Sequence, residues 1–147
     1  MFTPEDPDTA QSQTILLVDD DAGDLMLTER TIRATHPSFR VTRVDSGMKL
    51  MDYLEGRDQF SDREKFPYPF LVLLDLTMRG MTGLEVLRWL SRNPPHNQIP
   101  VHVLSGTDSP ELAEITVLLG ARSFVSKPLT AEEFQNVVEL SDLIRKG

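Results

Sequence analysis

The sequence predicts an α/β fold: a parallel sheet with helices on both faces, a doubly wound three-layer sandwich. Short apolar runs at residues 14–18 (TILLV) and 70–74 (FLVLL) pass straight into carboxylates. Continuous runs of this length mark strands buried on both faces. Strand and helix patterns alternate five times along the chain, mostly through short connections, which is how a parallel sheet with crossover helices is written. The length, 147 residues, suits one domain with a real core.

Residues 1–13 are polar, carry Pro4 and Pro7, and read as a flexible N-terminal tail. The first strand, 14–18, ends at Asp19, Asp20 and Asp21. A helix over 22–36 follows, with Leu25, Met26 and Ile32 as its inward candidates, and Pro37 stops it. Residues 39–44 alternate apolar and polar, which suits a strand near the sheet edge. Asp45 or Ser46 can cap a short helix through Leu54. Residues 56–69 form a long polar connection, either an ordered surface loop or a mobile one. The second buried run, 70–74, then delivers Asp75, and Gly80 and Gly83 mark the turn into a helix over 83–92 carrying Leu84, Leu87 and Leu90. The proline-rich stretch 93–100 ends that helix. A strand at 101–104 leads into Ser105-Gly106-Thr107, and a helix over 109–119 closes on Gly120. A short strand at 123–126 ends at Lys127-Pro128. The last helix opens at Thr130 with Glu133 three residues on, a capping-box pattern, and reaches about residue 145.

Composition narrows the function. The chain is 39% hydrophobic and 26% charged, as soluble globular proteins are. No apolar run approaches the roughly 18 residues of a membrane helix, and the start lacks the basic and apolar regions of a secretory signal. The expected location is cytoplasmic. Without cysteine there is no disulfide framework, thiol chemistry or thiolate metal site. A formal net charge of −8 argues against nucleic-acid partners and anionic membrane surfaces.

The strand ends carry the chemistry. Asp19 and Asp20, Asp75, Ser105 and Lys127 each follow a different strand, and in a parallel sheet these ends share one edge, where ligands of open α/β sheets bind. Two carboxylates about 4 Å apart repel by roughly 4 kcal/mol at an effective dielectric near 20. A hard divalent cation relieves such a cluster, and a partly hydrated Mg²⁺ held by one or two carboxylates fits best. An Asp beside Mg²⁺ and a Lys can act as a nucleophile and accept a phosphoryl group as an acyl phosphate. The cation and Lys127 would neutralise charge on the phosphoryl oxygens while Ser105 donates to one of them.

Four segments together resemble the receiver domain of two-component response regulators, over about residues 13–146: Leu-Leu-Val-Asp-Asp at 16–20, Leu-Leu-Asp-Leu-Thr-Met-Arg-Gly-Met-Thr-Gly at 73–83, Leu-Ser-Gly at 104–106 and Phe-Val-Ser-Lys-Pro at 124–128. The resemblance implies a flavodoxin-like (βα)5 fold of the CheY type, with sheet order 2-1-3-4-5. It implies that Asp75 is the phosphoacceptor, that Asp20 binds Mg²⁺ directly, that Asp19 acts through a metal-bound water, and that the Thr77 backbone carbonyl completes the protein ligands. Lys127 would pair with the phosphoryl group, its bond to Pro128 would be cis, and Ser105 and Phe124 would form the switch. The fourth helix, fifth strand and fifth helix would carry the response and could form a homodimer. The phosphodonor would be a sensor histidine kinase or phosphotransfer protein. With no output domain after Gly147, the chain is expected to be a single-domain switch over 14–147, not an enzyme acting on outside substrates. Tyr-Leu-Glu-Gly at 53–56 and the 56–69 loop are similar to single-domain receivers serving phytochrome kinases.

This chain departs from the family pattern in places. Arg79 stands where proline is usual, which makes the loop less rigid and adds a charge. Phe124 replaces the commoner Tyr, and Thr77 and Thr107 occupy positions that tune the phosphoryl lifetime. Other readings of single residues are plainer. Asp21 reads as a helix cap or solvated acid, and His36, His96 and His102 as structural or exposed. Trp89 reads as core or half-buried, while Phe134, Val137, Val138 and Ile144 share one side of the last helix, away from an exposed Leu143. A dehalogenase-type phosphatase would need a second Asp where Thr77 stands. A flavodoxin-type phosphate loop would not carry Asp19, Asp20, Asp21 and Asp24, and an unphosphorylated adaptor would not keep every site residue type.

Overall fold

The structure, a computed structural model, describes residues 13–146, with side chains through residue 143. The tail expected over 1–13 therefore lies outside the described residues except for Gln13, as does the side chain of Ile144. Among the described residues the order is β1 (Thr14–Val18), α1 (Ala22–Thr35), β2 (Arg40–Val44), α2 (Gly47–Glu55), β3 (Leu71–Asp75), α3 (Gly83–Ser91), β4 (Val101–Ser105), α4 (Pro110–Leu118), β5 (Ser123–Ser126) and α5 (Ala131–Lys146). Every pairing is parallel and the sheet order is β2-β1-β3-β4-β5, the doubly wound arrangement expected.

Period-two alternation along the buried strands sends side chains to two separate cores. Leu16, Val18, Val72 and Leu74 meet Leu50 and Tyr53 of α2 and Val86 and Leu87 of α3. Ile15, Leu17, Leu71 and Leu73 meet Leu25 and Ile32 of α1 and Phe134 and Val137 of α5. Both sheet faces are thus covered, which is why the central strands carry no polar alternation.

Side chains set the helix starts. Asp21 caps α1 by accepting from the Asp24 amide, Ser46 rather than Asp45 caps α2, and Ser109 caps α4. The capping box at Thr130 and Glu133 forms in both directions, and an equivalent box at Thr82 and Glu85 starts α3. Met26 is not an inward residue. It is 55% exposed, and Leu25, Thr28 and Ile32 take the buried face, since adjacent helix positions differ by about 100°.

The 56–69 connection is ordered. The Arg63 guanidinium donates to the carbonyls of Tyr53, Leu54 and Phe66, Tyr53 donates its hydroxyl to the Pro67 carbonyl, and Phe60 is buried against Tyr53 and Phe66. The histidines are structural. His96 stacks between Tyr68 and Trp89, and His102 is buried between the hydroxyls of Ser123 and Ser141.

Candidate functional site

Strand register decides which side chains meet. Val18 lies opposite Leu74, so the next residues, Asp19 and Asp75, leave the sheet at the same level. Ser105 lies opposite Ser126, which puts Lys127 one step beyond, on the same edge. The loop after β3 must turn sharply to clear this edge. A Cβ on Gly83 would stand 2.7 Å from the Asp75 carbonyl oxygen, so only glycine allows α3 to begin this close to the strand it follows. The Gly83 amide donates to the Leu76 carbonyl and closes the turn.

The carboxylates of Asp19, Asp20 and Asp75 each place an oxygen within 4.8 Å of the others. Lys127 Nζ lies 2.8 Å from Asp19 Oδ2, 2.8 Å from Asp24 Oδ2 and 2.9 Å from Asp75 Oδ1. Asp19 Oδ1 also accepts the Asp21 amide. Asp75 is only 3% exposed, whereas Asp20 is exposed. Asp75 Oδ1 is buried and accepts no hydrogen bond among the described residues, because the short contact to Lys127 is an ion pair without hydrogen-bond alignment. A buried carboxylate oxygen with a lone pair unclaimed, next to two further carboxylates, is a donor set that fits a hard divalent cation. Asp19, Asp20 and Asp75 would hold it, and Thr77, exposed in the loop that follows β3, stands where its backbone carbonyl could join them.

Burial raises the pKa of Asp75 above the usual carboxylate value, and Asp19 and Asp20 raise it further, against the lowering effect of Lys127. Burial alone would lower the Lys127 pKa, but the carboxylates of Asp19 and Asp24, which accept from its ammonium, and the paired Asp75 reverse this and leave it raised. Lys127 is therefore a fixed positive charge, and Asp75 stays ionised less readily than a free carboxylate unless further positive charge is nearby.

Ser105 is buried, and its hydroxyl is engaged in a local turn: it donates to the Thr107 carbonyl and accepts from the Thr107 amide, both at 3.0 Å. Phe124 is partly buried against the core on the α2 and α3 side. The Lys127-Pro128 bond is cis.

Residues 15–139 match the family described as the response regulator receiver domain. The chain belongs to this family. The receiver is 33% identical over 133 residues to the two-component response regulator ORR1 of Oryza sativa subsp. indica, covering 86% of this chain and 54% of the relative. It thus spans about half the length of that curated protein. Among solved structures it is similar to the bacteriophytochrome response regulator AtBRR, with 28% identity and a TM-score of 0.78, covering 88% of this chain and 92% of that one. The Mn(2+)-bound form of the response regulator Rcp1 is 25% identical with a TM-score of 0.71, again covering 88% and 92%.

Two contacts of the receiver site lie outside what sequence reading assigns. Asp24, legible only as an acid unfavourable to a phosphate loop, is a full partner of Lys127; its signal was an acidic residue in the first turn of α1, which helix electrostatics favour anyway. The Arg79 amide donates to Asp20 Oδ2 at 2.9 Å, so the loop expected to loosen without proline gains a tie that proline could not make.

Proposed function

We propose that this receiver accepts a phosphoryl group on Asp75 from the phosphohistidine of a sensor histidine kinase or phosphotransfer protein, in a Mg²⁺-dependent step, and signals through phosphorylation-dependent protein contacts. The observation that carries the reading is Asp75 itself: buried, one oxygen without a hydrogen bond, and faced by Lys127 at 2.9 Å within a three-carboxylate cluster.

In the proposed step a carboxylate oxygen of Asp75 forms a bond to phosphorus as the phosphorus–nitrogen bond of the donor breaks. The imidazole leaves with the electron pair and takes up a proton. Mg²⁺ held by Asp19, Asp20 and the Thr77 carbonyl would supply positive charge to the phosphoryl oxygens. Lys127, already at Asp75, pairs with another of those oxygens and keeps its proton throughout. Ser105 must leave the Thr107 carbonyl to donate to the phosphoryl group, and Phe124, partly buried against the core, would turn inward with it. Thr77 and Thr107, at positions that tune the phosphoryl lifetime in the family, would influence how readily water reaches the group. The protein is on this reading a switch, acting on no other substrate.

The response surface is α4, β5 and α5. Helix α4 is apolar, yet among the described residues it buries only Thr116, while Ile115, Val117 and Leu118 are exposed, Leu118 by 78%. An apolar helix left outside a core suits a protein contact, and with Leu143 exposed on α5 it supports a homodimer through this face. The net charge of −8 supports protein partners over nucleic acid or anionic membranes. The likeness to AtBRR supports a phytochrome-type kinase as donor, and exchange with such a kinase would call for a cytoplasmic location.

The test is incubation with a small phosphodonor and Mg²⁺, with the modified residue mapped by mass spectrometry. Modification of Asp75 that disappears in Asp75→Asn and in chelator is expected. Transfer that persists in either condition overturns the reading. A monomer in sedimentation at high concentration, with and without phosphorylation, removes the dimer.

A further inference from the structure

Asp20 is the member of the carboxylate cluster that Lys127 does not reach. Asp19 and Asp75 each pair with its ammonium, but Asp20 is exposed, and its Oδ2 accepts from the Arg79 amide. An exposed aspartate without a tie exchanges among staggered rotamers. A backbone N–H fixed by its own loop removes that freedom, and its bond to an ionised carboxylate is charge-assisted.

We infer that the Arg79 amide is a positioning group that presents Asp20 to the divalent cation. The inference rests on the metal-assisted reading above and deepens it. Arg79 lies two residues after Thr77, whose carbonyl is the loop's own proposed ligand. One hydrogen bond thus ties the Asp20 ligand after β1 to the backbone ligand after β3. Oδ2 is occupied by the amide, and Oδ1 keeps its lone pairs for the cation. Groups that orient a ligating carboxylate are worth about 10- to 100-fold in metal affinity. Proline at this position has no N–H, so the device depends on a non-proline residue standing at 79. Whatever reach the guanidinium has toward the cluster acts the other way, because positive charge opposes a cation. Amide and side chain of one residue therefore pull in opposite directions, which makes them separable.

The test is calorimetric titration of the unphosphorylated full chain with Mg²⁺ and Mn²⁺, beside Arg79→Ala and Arg79→Pro. Arg79→Ala keeps the amide and loses the charge, and is expected to bind about two- to threefold more tightly. Arg79→Pro loses both and is expected to bind about 10-fold more weakly than Arg79→Ala. Should Arg79→Pro fail to fold, amide hydrogen exchange decides: the Arg79 amide is expected to exchange about 10-fold or more faster in Asp20→Ala than in the unaltered chain, the scale of a lost hydrogen bond to a charged group. Equal affinities in the two Arg79 variants, or an exchange rate indifferent to Asp20, overturns this inference alone. No binding of either ion by the unaltered chain overturns it together with the metal-assisted reading.

Discussion

Lys127 Nζ lies as close to Asp24 in the first turn of α1 as to Asp19 at the end of β1, 2.8 Å in each case. One ammonium therefore serves carboxylates from three elements, and the three pairs differ in burial. Asp24 is 40% exposed on its side chain, so solvent screens its pair. Asp24→Asn is expected to cost less than about 1 kcal/mol. Lys127→Ala leaves Asp19 and Asp75 buried without a counter-charge, and is expected to cost roughly 2–3 kcal/mol, below the figure for a fully buried pair because the lysine is partly solvated. Urea denaturation in chelator measures both, and Mg²⁺ is expected to recover part of the second loss.

Asp75 should destabilise the metal-free fold when ionised. Its folded pKa is raised above the unfolded value by burial and by Asp19 and Asp20. A carboxyl with a raised folded pKa stabilises the fold at pH below its unfolded value, and that contribution is lost as pH rises through the folded pKa. In chelator at pH 7, Asp75→Asn is therefore expected to be more stable than the unaltered protein, by on the order of 1 kcal/mol. The difference shrinks as pH falls toward about 4, where the unfolded carboxyl also takes up its proton. Thermal unfolding at pH 7 and pH 4 checks this, and added Mg²⁺ should narrow the gap at neutral pH.

His102 makes the fold acid-sensitive, opposite in sign to Asp75 over an overlapping pH range. Burial, with a smaller contribution from Arg122, pushes its imidazole down to about 4, and both ring nitrogens are engaged by Ser123 and Ser141. The depressed value means that the unfolded chain binds the proton more tightly. Stability from the neutral ring is present above about 6.5, the unfolded value, and is lost as pH falls through about 4. The 2.5-unit interval corresponds to roughly 3 kcal/mol. His102→Gln, which does not titrate, should flatten the pH dependence of unfolding between those limits, even where its overall stability is lower.

Arg63 holds the 56–69 connection through three backbone carbonyls of Tyr53, Leu54 and Phe66. Hydrogen bonds to a charged group are worth about 1.5–3 kcal/mol, so Arg63→Ala should cost roughly 2 kcal/mol in urea denaturation and open the loop to proteolysis. Arg63→Lys should recover little, because one ammonium cannot reproduce the planar fork. Phosphorylation of Asp75 should proceed normally in either variant, since the loop precedes β3 and the site lies beyond its far end.

Much of the site was legible because the fold aligns strand ends. Asp19, Asp75, Ser105 and Lys127 each stand at the end of a strand, and a parallel sheet converts that shared position into shared space. The capping box at Thr130 was legible for a similar reason, since a cap acts on its own next turn, whereas the choice of Ser46 over Asp45 came from the structure. Met26 was misread where the same local logic ran short. Its hydrophobicity says that it can be buried, while the angular position of α1 against the sheet decides that Leu25, Thr28 and Ile32 are.

The sequence by itself determined which segments are strands and helices, and which reactive residues stand at one edge, because periodicity and strand-end position are local properties that regular geometry extends. Only the tertiary structure decided that Asp24 shares Lys127, that the Arg79 amide holds Asp20 across 59 residues, and that Arg63 closes its loop on the end of α2. Each of these is a contact of about 3 Å between a side chain and a group far away or on irregular backbone. Such contacts depend on register, rotamer and loop path together, and no repeat in the sequence encodes that combination.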